Sequence, residues 1–325
     1  MVEGLKDYPG ILIDGASGYV GSHLATKLSK IGQPIRCLVR PQAARADVDY
    51  LRSVGAQVVE GNLDDAGPEV GRLFSGCETV VHLIGSIAPR RGESLNELHA
   101  EKTKTLIERC KRHNVEKVVM VTALGTGPNA PSQYHSSKWQ AEELLSSSGL
   151  AYVILRPSLI IGHVYGLRDS KLVKRYTELI LSRKMVPLIN GGINRIQPIF
   201  IMDLVDVLTS CLQSNSRFEG TFELGGPDVV VMREFVQELM TVLGVSKPIV
   251  GLPPFLAQAI VWLCESVQDV PLLSRDQVII SSESNICQEN ALVSVFGITP
   301  TPMTDALKTY KASRSINPHP EVGMA

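Results

Sequence analysis

Short apolar runs alternate with helical patterns along the first half of the chain, and this alternation constrains the fold more than any other feature. The runs are ILI, PIRCLV, AQVVE, ETVVHLI, KVVMVTA and AYVIL, in this order between residues 10 and 155. Helical patterns lie among them at 20–31, 42–54, 93–113 and 132–148. Strands that are apolar on both faces and separated by helices form a parallel sheet covered on each side. Residues 1–155 are therefore predicted to form a doubly wound α/β domain with right-handed crossovers.

The strict alternation fades after residue 155. Helical patterns follow near 170–183, 203–213, 231–243, 255–266 and 303–313, with strand-like runs at 198–201 and 220–224. No Gly/Ser linker or internal repeat separates the two halves. We expect residues 156–325 to form a smaller, mostly helical substrate cap that is interleaved with the first domain and covers the carboxyl ends of its strands.

Composition excludes several classes of protein. Of the 325 residues, 44% are hydrophobic, and 32 basic side chains balance 33 acidic ones, which argues against a disordered chain or a nucleic-acid-binding protein. The six cysteines are scattered without a CxxC pair, and the seven histidines form no HxxxH or HExxH pattern. We therefore expect no metal site and no disulfide framework, and we expect a reducing, cytoplasmic location.

The chain shows no pattern of a signal peptide at its start and no membrane span is expected. The most apolar stretch, 252–264, is interrupted by Pro253, Pro254 and Gln258 and falls short of the roughly 20 apolar residues of a span. A core or interfacial helix is favoured there, so peripheral membrane association stays open.

Three glycines mark the transition from the first apolar run to the first helical pattern. Gly15 permits a tight turn, Gly18 allows the main chain to approach a phosphate, and Gly21 allows close packing of helix and sheet. The amino end of the following helix supplies N–H groups and the positive end of its dipole. This spacing at the first strand and first helix predicts a dinucleotide site.

A cation follows the second strand, where a protein specific for NAD usually has an acidic residue. Arg40 occupies this position, and Arg36 and Arg45 lie nearby in the sequence. A guanidinium binds phosphate through two parallel hydrogen bonds, so NADP(H) is favoured over NAD(H). Surface arginines that flank a strand are the alternative.

A tyrosine and a lysine stand four residues apart in the helical segment after the fifth strand. Tyr134 and Lys138 would project from the same face of that helix. A nearby ammonium stabilises a phenolate, which would bring the pKa of Tyr134 from about 10 toward a useful range. Thr122, near the end of the preceding strand, could donate its hydroxyl to a substrate oxygen beside Tyr134.

These residues resemble the extended and atypical short-chain dehydrogenase/reductases over nearly the whole chain. The glycines resemble the family's GxxGxxG signature, Thr122, Tyr134 and Lys138 resemble its Ser/Thr–Tyr–Lys set, and HLIG at 82–85 resembles its HLAG turn. Arg156-Pro157 followed by Gly162, and the segments PIFIMDLVDVL and TFELGGPD, are similar to further family motifs. The segments VPLLSRDQVIISSESNIC and FGITPTPMTDALK look most like bacterial relatives of the nucleotide-binding accessory subunit of respiratory complex I.

The resemblance implies a Rossmann domain and assigns roles to particular residues. Thr122 would orient a substrate carbonyl, Tyr134 would be the catalytic acid–base, and Lys138 would bind the nicotinamide ribose and tune Tyr134. Three positions depart from the family: Asp14 replaces a common Thr, Asn62 a common Asp, and His99 a common Asn. The implied cofactor-binding set is Gly15, Ser17, Gly18, Tyr19, Val20, Gly21, Arg40, Asn62, Leu63, Gly85, Lys138 and Pro157.

The leading hypothesis is an NADP(H)-dependent oxidoreductase that acts on a carbonyl or alcohol of a small-molecule substrate. Leu252, Phe255, Leu256 and Trp262 in the cap favour a hydrophobic substrate, although core packing explains them equally well. Two alternatives stay open: a nucleotide-sugar epimerase or dehydratase with retained NAD, and a non-catalytic NADPH-binding subunit or assembly factor of a respiratory complex. The oligomeric state is not predicted.

Overall fold

The computed structural model of the chain describes residues 10–87, 93–213, 216–253, 255–256 and 275–316. The main strands are β1 (Gly10–Asp14), β2 (Ile35–Val39), β3 (Gln57–Glu60), β4 (Cys77–His82), β5 (Lys117–Val121) and β6 (Ala151–Pro157). The helices between them are α1 (Tyr19–Lys30), α2 (Arg45–Ser53), α3 (Pro68–Phe74), α4 (Lys102–Arg112) and α5 (Gln133–Ser146). A π-helical turn at Glu97–Glu101 leads into α4.

The second half adds shorter strands and further helices. The strands are β7 (Ile160–Ile161), β8 (Val186–Ile189), β9 (Arg195–Ile196), β10 (Ile199–Phe200), β11 (Gly220–Leu224), β12 (Val230–Val231) and β13 (Ile249–Leu252). The helices are α6 (Lys171–Ser182), α7 (Ile201–Cys211), α8 (Met232–Leu243), α9 (Arg275–Ser282), α10 (Ala291–Ser294) and α11 (Met303–Ile316).

Seven parallel strands form the central sheet in the order β11-β6-β5-β4-β1-β2-β3. This is the predicted doubly wound fold, with β4 at the centre and the strand order reversing between β1 and β4. The seventh strand, β11, comes from the second half, so residues beyond 155 complete the sheet. The carboxyl ends of all seven strands lie at one edge, which is where ligands bind in such sheets.

The inner strands are largely buried on both faces, as the sequence pattern indicates, whereas the edge strands β3 and β11 are partly exposed. In β1, Ile11 and Ile13 pack into a core with α1 and α7, whereas Leu12 faces a second core with α3 and α4. A third core joins α6, α8 and α11 in the second half. The fold therefore has a helical layer on each face of the sheet, and α7 of the second half belongs to one of them.

The boundaries differ from the predicted ones at several places. The sequence pattern did not indicate α3, because it has only seven residues and begins with a proline, so its apolar periodicity is too short to detect. The small pairs β8–β13 and β9–β12 were also not expected. Of the predicted helix at 255–266, only residues 255–256 are described. Trp262 lies outside the described residues. Among the residues that are described, none of the helices combines the length and apolarity that a membrane crossing requires.

Candidate cofactor and active site

The glycine-rich turn follows β1 directly and is packed so closely that side chains would not fit. Gly15 has a φ of 66°, and a Cβ there would lie 2.9 Å from the carbonyl carbon of Leu83. A Cβ on Gly21 would lie 2.7 Å from the Cα of Ala16. The N–H of Gly18 donates to the carbonyl of Gly15 at 2.9 Å, which closes the turn. The backbone is therefore bare where β1 becomes α1.

The amino end of α1 carries the features of an anion site. Its N-cap, Gly18, provides no side-chain cap, and the first turn contains no acidic residue. Ser17 precedes Gly18, and Val20 lies in the first turn of the helix. The Tyr19 side chain turns away and donates its hydroxyl to the carbonyl of Gly162, so Tyr19 can offer a ligand at this turn its main chain.

The geometry of this turn can be compared with what a bound dinucleotide requires. A diphosphate needs closely approaching main chain, free N–H groups and the positive end of a helix dipole. The turn from Gly15 to Gly21 provides the close main chain and the uncapped amino end of α1, and Cβ atoms on Gly15 and Gly21 would collide with the main chain that forms it. The residues present therefore fit the cofactor that the sequence implies.

The extra carboxylate of Asp14 does not face the turn. Asp14 is fully buried, and it accepts hydrogen bonds from His82 Nδ1 at 2.5 Å and from the N–H of Leu83 at 2.7 Å. The other ring nitrogen of His82 lies 3.1 Å from the Thr103 hydroxyl. Asp14 thus joins β1 to β4 instead of pointing inward toward a phosphate.

The three arginines near β2 have different environments. Arg40 follows the carboxyl end of β2 and is exposed. Arg36 is buried and donates to the carbonyls of Leu73 and Ser75, so the expectation that it adds to a phosphate site is wrong. Its position inside β2 directs it toward α3.

The contacts of Arg45 also differ from the phosphate binding that its position near β2 suggests. Arg45 pairs with Asp49 one turn along α2 at 3.1 Å, and its guanidinium lies 3.9 Å from Glu60. It therefore belongs to an exposed charge network, and Arg40 is the cation of the three that stands at a strand's carboxyl end.

The remaining predicted cofactor residues follow the ends of other strands. The main-chain N–H and the amide of Asn62 both donate to Asp65, at 2.6 and 3.4 Å. The Leu63 side chain is buried in the core, and its main-chain carbonyl accepts from Arg109 Nε at 2.5 Å. Pro157 ends β6, and its carbonyl accepts from the N–H of Leu124.

Tyr134 and Lys138 lie one turn apart on α5, as predicted. The Lys138 ammonium is buried 3.4 Å from the carbonyl of Ile84 and 3.5 Å from that of Val121. A Cβ on Gly85 would lie 2.7 Å from Lys138 Nζ, so the glycine after β4 makes room for this lysine. The structure thus brings α5 against the carboxyl ends of β4 and β5.

The acid–base properties of this pair differ in direction from the expectation. Burial raises the pKa of Tyr134 to about 12, because the phenolate loses its hydration. Burial also lowers the pKa of Lys138 to about 8, although the carboxylates of Glu142 and Asp14 oppose this shift. The lowering of the Tyr134 pKa that the sequence pattern predicts is therefore not seen, because desolvation of the phenolate dominates.

Thr122 follows β5, but its hydroxyl is committed to a buried ionic network. It donates to Glu142 Oε1 at 2.6 Å, and Arg156 Nε contacts both oxygens of Glu142 at 3.1 Å. This differs from the expected donation to a substrate oxygen. Thr126, four residues further along the same loop, has a buried hydroxyl without a hydrogen-bond partner in the described part of the chain.

His99 lies beside Tyr134 with its ring centroid 5.5 Å away in an edge-to-face arrangement. The Ser137 hydroxyl donates to the carbonyl of Tyr134, so the 2.8 Å contact between Ser137 Oγ and His99 Nδ1 requires the histidine nitrogen to be the donor. Burial, with the charges of Lys138 and His82, lowers the pKa of His99 to about 2. His99 is therefore neutral.

The sequence analysis missed a carboxylate at the start of α5. Asp276 of α9 accepts hydrogen bonds from the N–H groups of Gln133 and Tyr134, at 3.1 and 2.7 Å. Asn285 similarly donates to the carbonyl of Leu124 at 3.1 Å. Both residues lie more than 140 positions from their partners, and nothing in the local sequence signals these contacts.

The comparisons with known proteins agree with this geometry. A family model described as NAD(P)H-binding matches residues 15–163, which run from the glycine turn after β1 to just beyond β7. The fold, the glycine turn and this match together indicate an NAD(P)H-binding domain in the first half of the chain, in agreement with its resemblance to the extended short-chain dehydrogenase/reductases.

The individual proteins that the chain resembles share less than 30% of its sequence. The chain is 24% identical over 291 residues to NADH dehydrogenase [ubiquinone] 1 alpha subcomplex subunit 9 of Arabidopsis thaliana, covering 86% of this chain and 71% of the relative. It is 23% identical over 277 residues to a farnesyl-dihydroquinoline-1-oxide ketoreductase of Stigmatella aurantiaca, covering 78% and 79%. The structure of UDP-glucose 4-epimerase from Thermotoga maritima superposes with a TM-score of 0.72 at 19% identity, covering 95% and 100%, which shows the shared fold.

Proposed function

We propose that the chain is an NADP(H)-dependent oxidoreductase that interconverts a carbonyl and an alcohol on a small, hydrophobic substrate. The observation that carries this proposal is the position of Tyr134 and Lys138 on one face of α5, at the same strand edge as the Gly15 turn. The ketoreductase relative, named for a farnesylated ketone, supports both the reaction and the apolar character of the substrate.

Tyr134 and Lys138 would carry out the proton transfer of the reaction. When bound, the nicotinamide supplies or accepts the hydride. In reduction, the substrate carbonyl oxygen takes the proton of the Tyr134 hydroxyl, which completes the alcohol and leaves a phenolate. The Lys138 ammonium stabilises that phenolate, and a proton from water restores the hydroxyl. Since burial alone raises the pKa of Tyr134, the tyrosine is held in its proton-donating form before reaction.

Tyr134→Phe tests the catalytic proposal. With NADPH and a panel of apolar ketones, we expect turnover to fall by about 10²–10⁴-fold, because a positioned general acid contributes on this order. Affinity for NADPH should stay unchanged. Tyr152→Phe, in β6, is the matched control and should retain turnover. Equal turnover in wild type and the Tyr134 variant would contradict the proposed role.

Arg40 supports the cofactor preference. We expect NADPH to bind more tightly than NADH, and Arg40→Gln to weaken NADPH binding by about tenfold or more, because a charge-assisted hydrogen bond to phosphate is lost. Arg45→Gln is the control, since Arg45 pairs with Asp49 and Glu60. Calorimetric titration would measure both cofactors. Equal affinities for NADPH and NADH in the wild type would contradict the proposed preference for NADPH.

A second candidate is a non-catalytic NADPH-binding subunit of a respiratory complex. The similarity to the complex I subunit of Arabidopsis thaliana over 86% of the chain favours it, as does the commitment of the Thr122 hydroxyl to Glu142. Under this proposal, Tyr134→Phe would leave cellular function intact, and the protein would purify with stoichiometric respiratory partners.

A further inference from the structure

Lys171 reaches from the second half of the chain to the edge of the sheet that carries the glycine turn. It is the first residue of α6, and its ammonium donates to the Ser86 hydroxyl at 2.9 Å. Ser86 follows the carboxyl end of β4. On the other side, Arg40 at the end of β2 lies close enough for its charge to act on Lys171.

The sheet topology determines what lies beneath this lysine. Strands β2 and β4 flank β1 on opposite sides. Neighbouring strands are about 4.8 Å apart, so β2 and β4 are separated by about 10 Å. Lys171 contacts Ser86 in the loop that follows β4 and lies near Arg40, the residue directly after β2, so its ammonium lies between the loops that leave the strands on either side of β1. That position is the mouth of the Gly15 turn.

The segment that leads into α6 is attached to the first half, so Lys171 is held in place. Nε2 of His23 in α1 accepts from the N–H groups of Val164 and Tyr165, at 3.2 and 3.1 Å. The guanidinium of Arg168 pairs with Asp47 of α2, with its Nε 2.8 Å from the carboxylate. These contacts hold the segment that precedes α6 against α1 and α2.

The charges around Lys171 call for an anion. Partial burial, together with the positive charges of Arg40 and Arg168, lowers the pKa of the Lys171 ammonium. The α6 amino end adds its dipole and has no acidic residue in its first turn, and the Asp169 carboxylate just before the helix accepts from the N–H of the N-cap Ser170. Because Arg168 is already paired with Asp47, Lys171 and Arg40 are the positive groups from the two halves of the chain that meet over a turn whose backbone is shaped for phosphate. A bound phosphate would relieve their mutual repulsion.

We propose that Lys171 is a phosphate ligand of the bound dinucleotide, contributed by the second half of the chain. The lysine would leave Ser86 or share its ammonium protons between Ser86 and a phosphate oxygen. The phosphate is either the diphosphate bridge, which all nicotinamide dinucleotides share, or the 2′-phosphate of NADPH. The proposal rests on the proposed cofactor binding but does not depend on the substrate or on catalysis.

Lys171→Gln tests it by binding and without turnover. NADPH and NADH are titrated separately by calorimetry against wild type, Lys171→Gln and the control Lys184→Gln. Lys184 is an exposed lysine just beyond the carboxyl end of α6 and carries the same charge. We expect Lys171→Gln to weaken binding by about tenfold or more, and the control to change it by less than about twofold. Unchanged thermal unfolding would show that both variants are folded.

The pattern of loss identifies the phosphate. Equal weakening of NADPH and NADH would assign Lys171 to the diphosphate, and selective weakening of NADPH would assign it to the 2′-phosphate. Affinities within twofold of wild type for both cofactors would overturn the proposal. In that case a selective loss of NADPH in Arg40→Gln would show that the proposed cofactor preference still stands. A wild-type protein that binds neither dinucleotide would overturn both.

Discussion

The Thr122 hydroxyl shows how a single residue can serve the structure at a position where catalysis is expected. Its partner, Glu142, is a carboxylate only 3% exposed, and it also binds Arg156. A buried charge is tolerated only when its oxygens are satisfied by hydrogen bonds and an opposite charge. Thr122 therefore completes the shell of Glu142.

We expect Thr122→Ala to lower the free energy of unfolding by about 1–2 kcal/mol, because one buried oxygen of Glu142 loses its donor. Thr122→Ser retains the hydroxyl and should stay close to wild type. Urea denaturation of the three proteins measures the difference. An alanine variant with full stability but greatly reduced turnover would instead support the catalytic role that the family resemblance implies.

Helix α5 shows how an element depends on a distant segment. Its N-cap, Ser132, accepts from the N–H of His135, and the first turn contains no acidic residue. Asp276 of α9 supplies the missing negative charge by accepting from the N–H groups of Gln133 and Tyr134. The helix that carries Tyr134 is therefore stabilised from the carboxy-terminal part of the chain.

Asp276→Ala should destabilise the protein by about 1 kcal/mol, because two N–H groups lose their acceptor and the helix dipole loses a favourable charge. Asp276→Asn keeps an acceptor oxygen and should lose about half as much. Asp305→Ala is the control, since Asp305 makes an exposed pair with Lys308. Thermal unfolding measures the order of stability of the three variants. An Asp276→Ala protein as stable as the Asp305→Ala protein would refute the capping role of Asp276.

Two buried neutral histidines couple the stability of the whole molecule to pH. His23 is fully buried in α1, and burial lowers its pKa to about 4. Its Nδ1 donates to the carbonyl of Tyr19, which leaves Nε2 as the acceptor for the segment that precedes α6. His99, beside Tyr134, has a pKa lowered to about 2 by burial. Protonation of either ring would remove an acceptor from the interior.

The free energy of unfolding should therefore fall as the pH decreases. The unfolded chain binds a proton at each histidine below about pH 6.5, whereas folded His23 does not until about pH 4. The unfolded state thus binds more protons in this window, and His23 alone should remove up to about 3 kcal/mol of stability between pH 7 and pH 4. Urea denaturation at a series of pH values measures this loss.

His23→Gln provides the matched comparison. Glutamine keeps an acceptor oxygen but does not titrate, so its stability should decline less steeply between pH 7 and pH 4. The control is His113→Gln, because His113 is near the surface and its pKa is lowered mainly by partial burial. Identical pH slopes for wild type and His23→Gln would show that this histidine does not control acid stability.

Local pattern was sufficient for the first six strands of the sheet and for the glycine turn. The alternation of apolar runs with helices determines a covered parallel sheet, and the spacing of Gly15, Gly18 and Gly21 identifies the turn, because both depend on residues close in sequence. The four-residue spacing of Tyr134 and Lys138 likewise places them on one helix face. Periodicity and steric constraint act over a few residues, so the printed sequence contains them.

Side-chain partners were decided by packing between distant segments. Arg36 turns toward α3, Thr122 toward Glu142, and Asp14 toward His82, although each lies beside a predicted site. Asp276 and Lys171 reach that site from far along the chain. Whether a polar side chain faces a ligand or the protein depends on which donors and charges surround it after folding. Those neighbours come from contacts that local spacing does not encode.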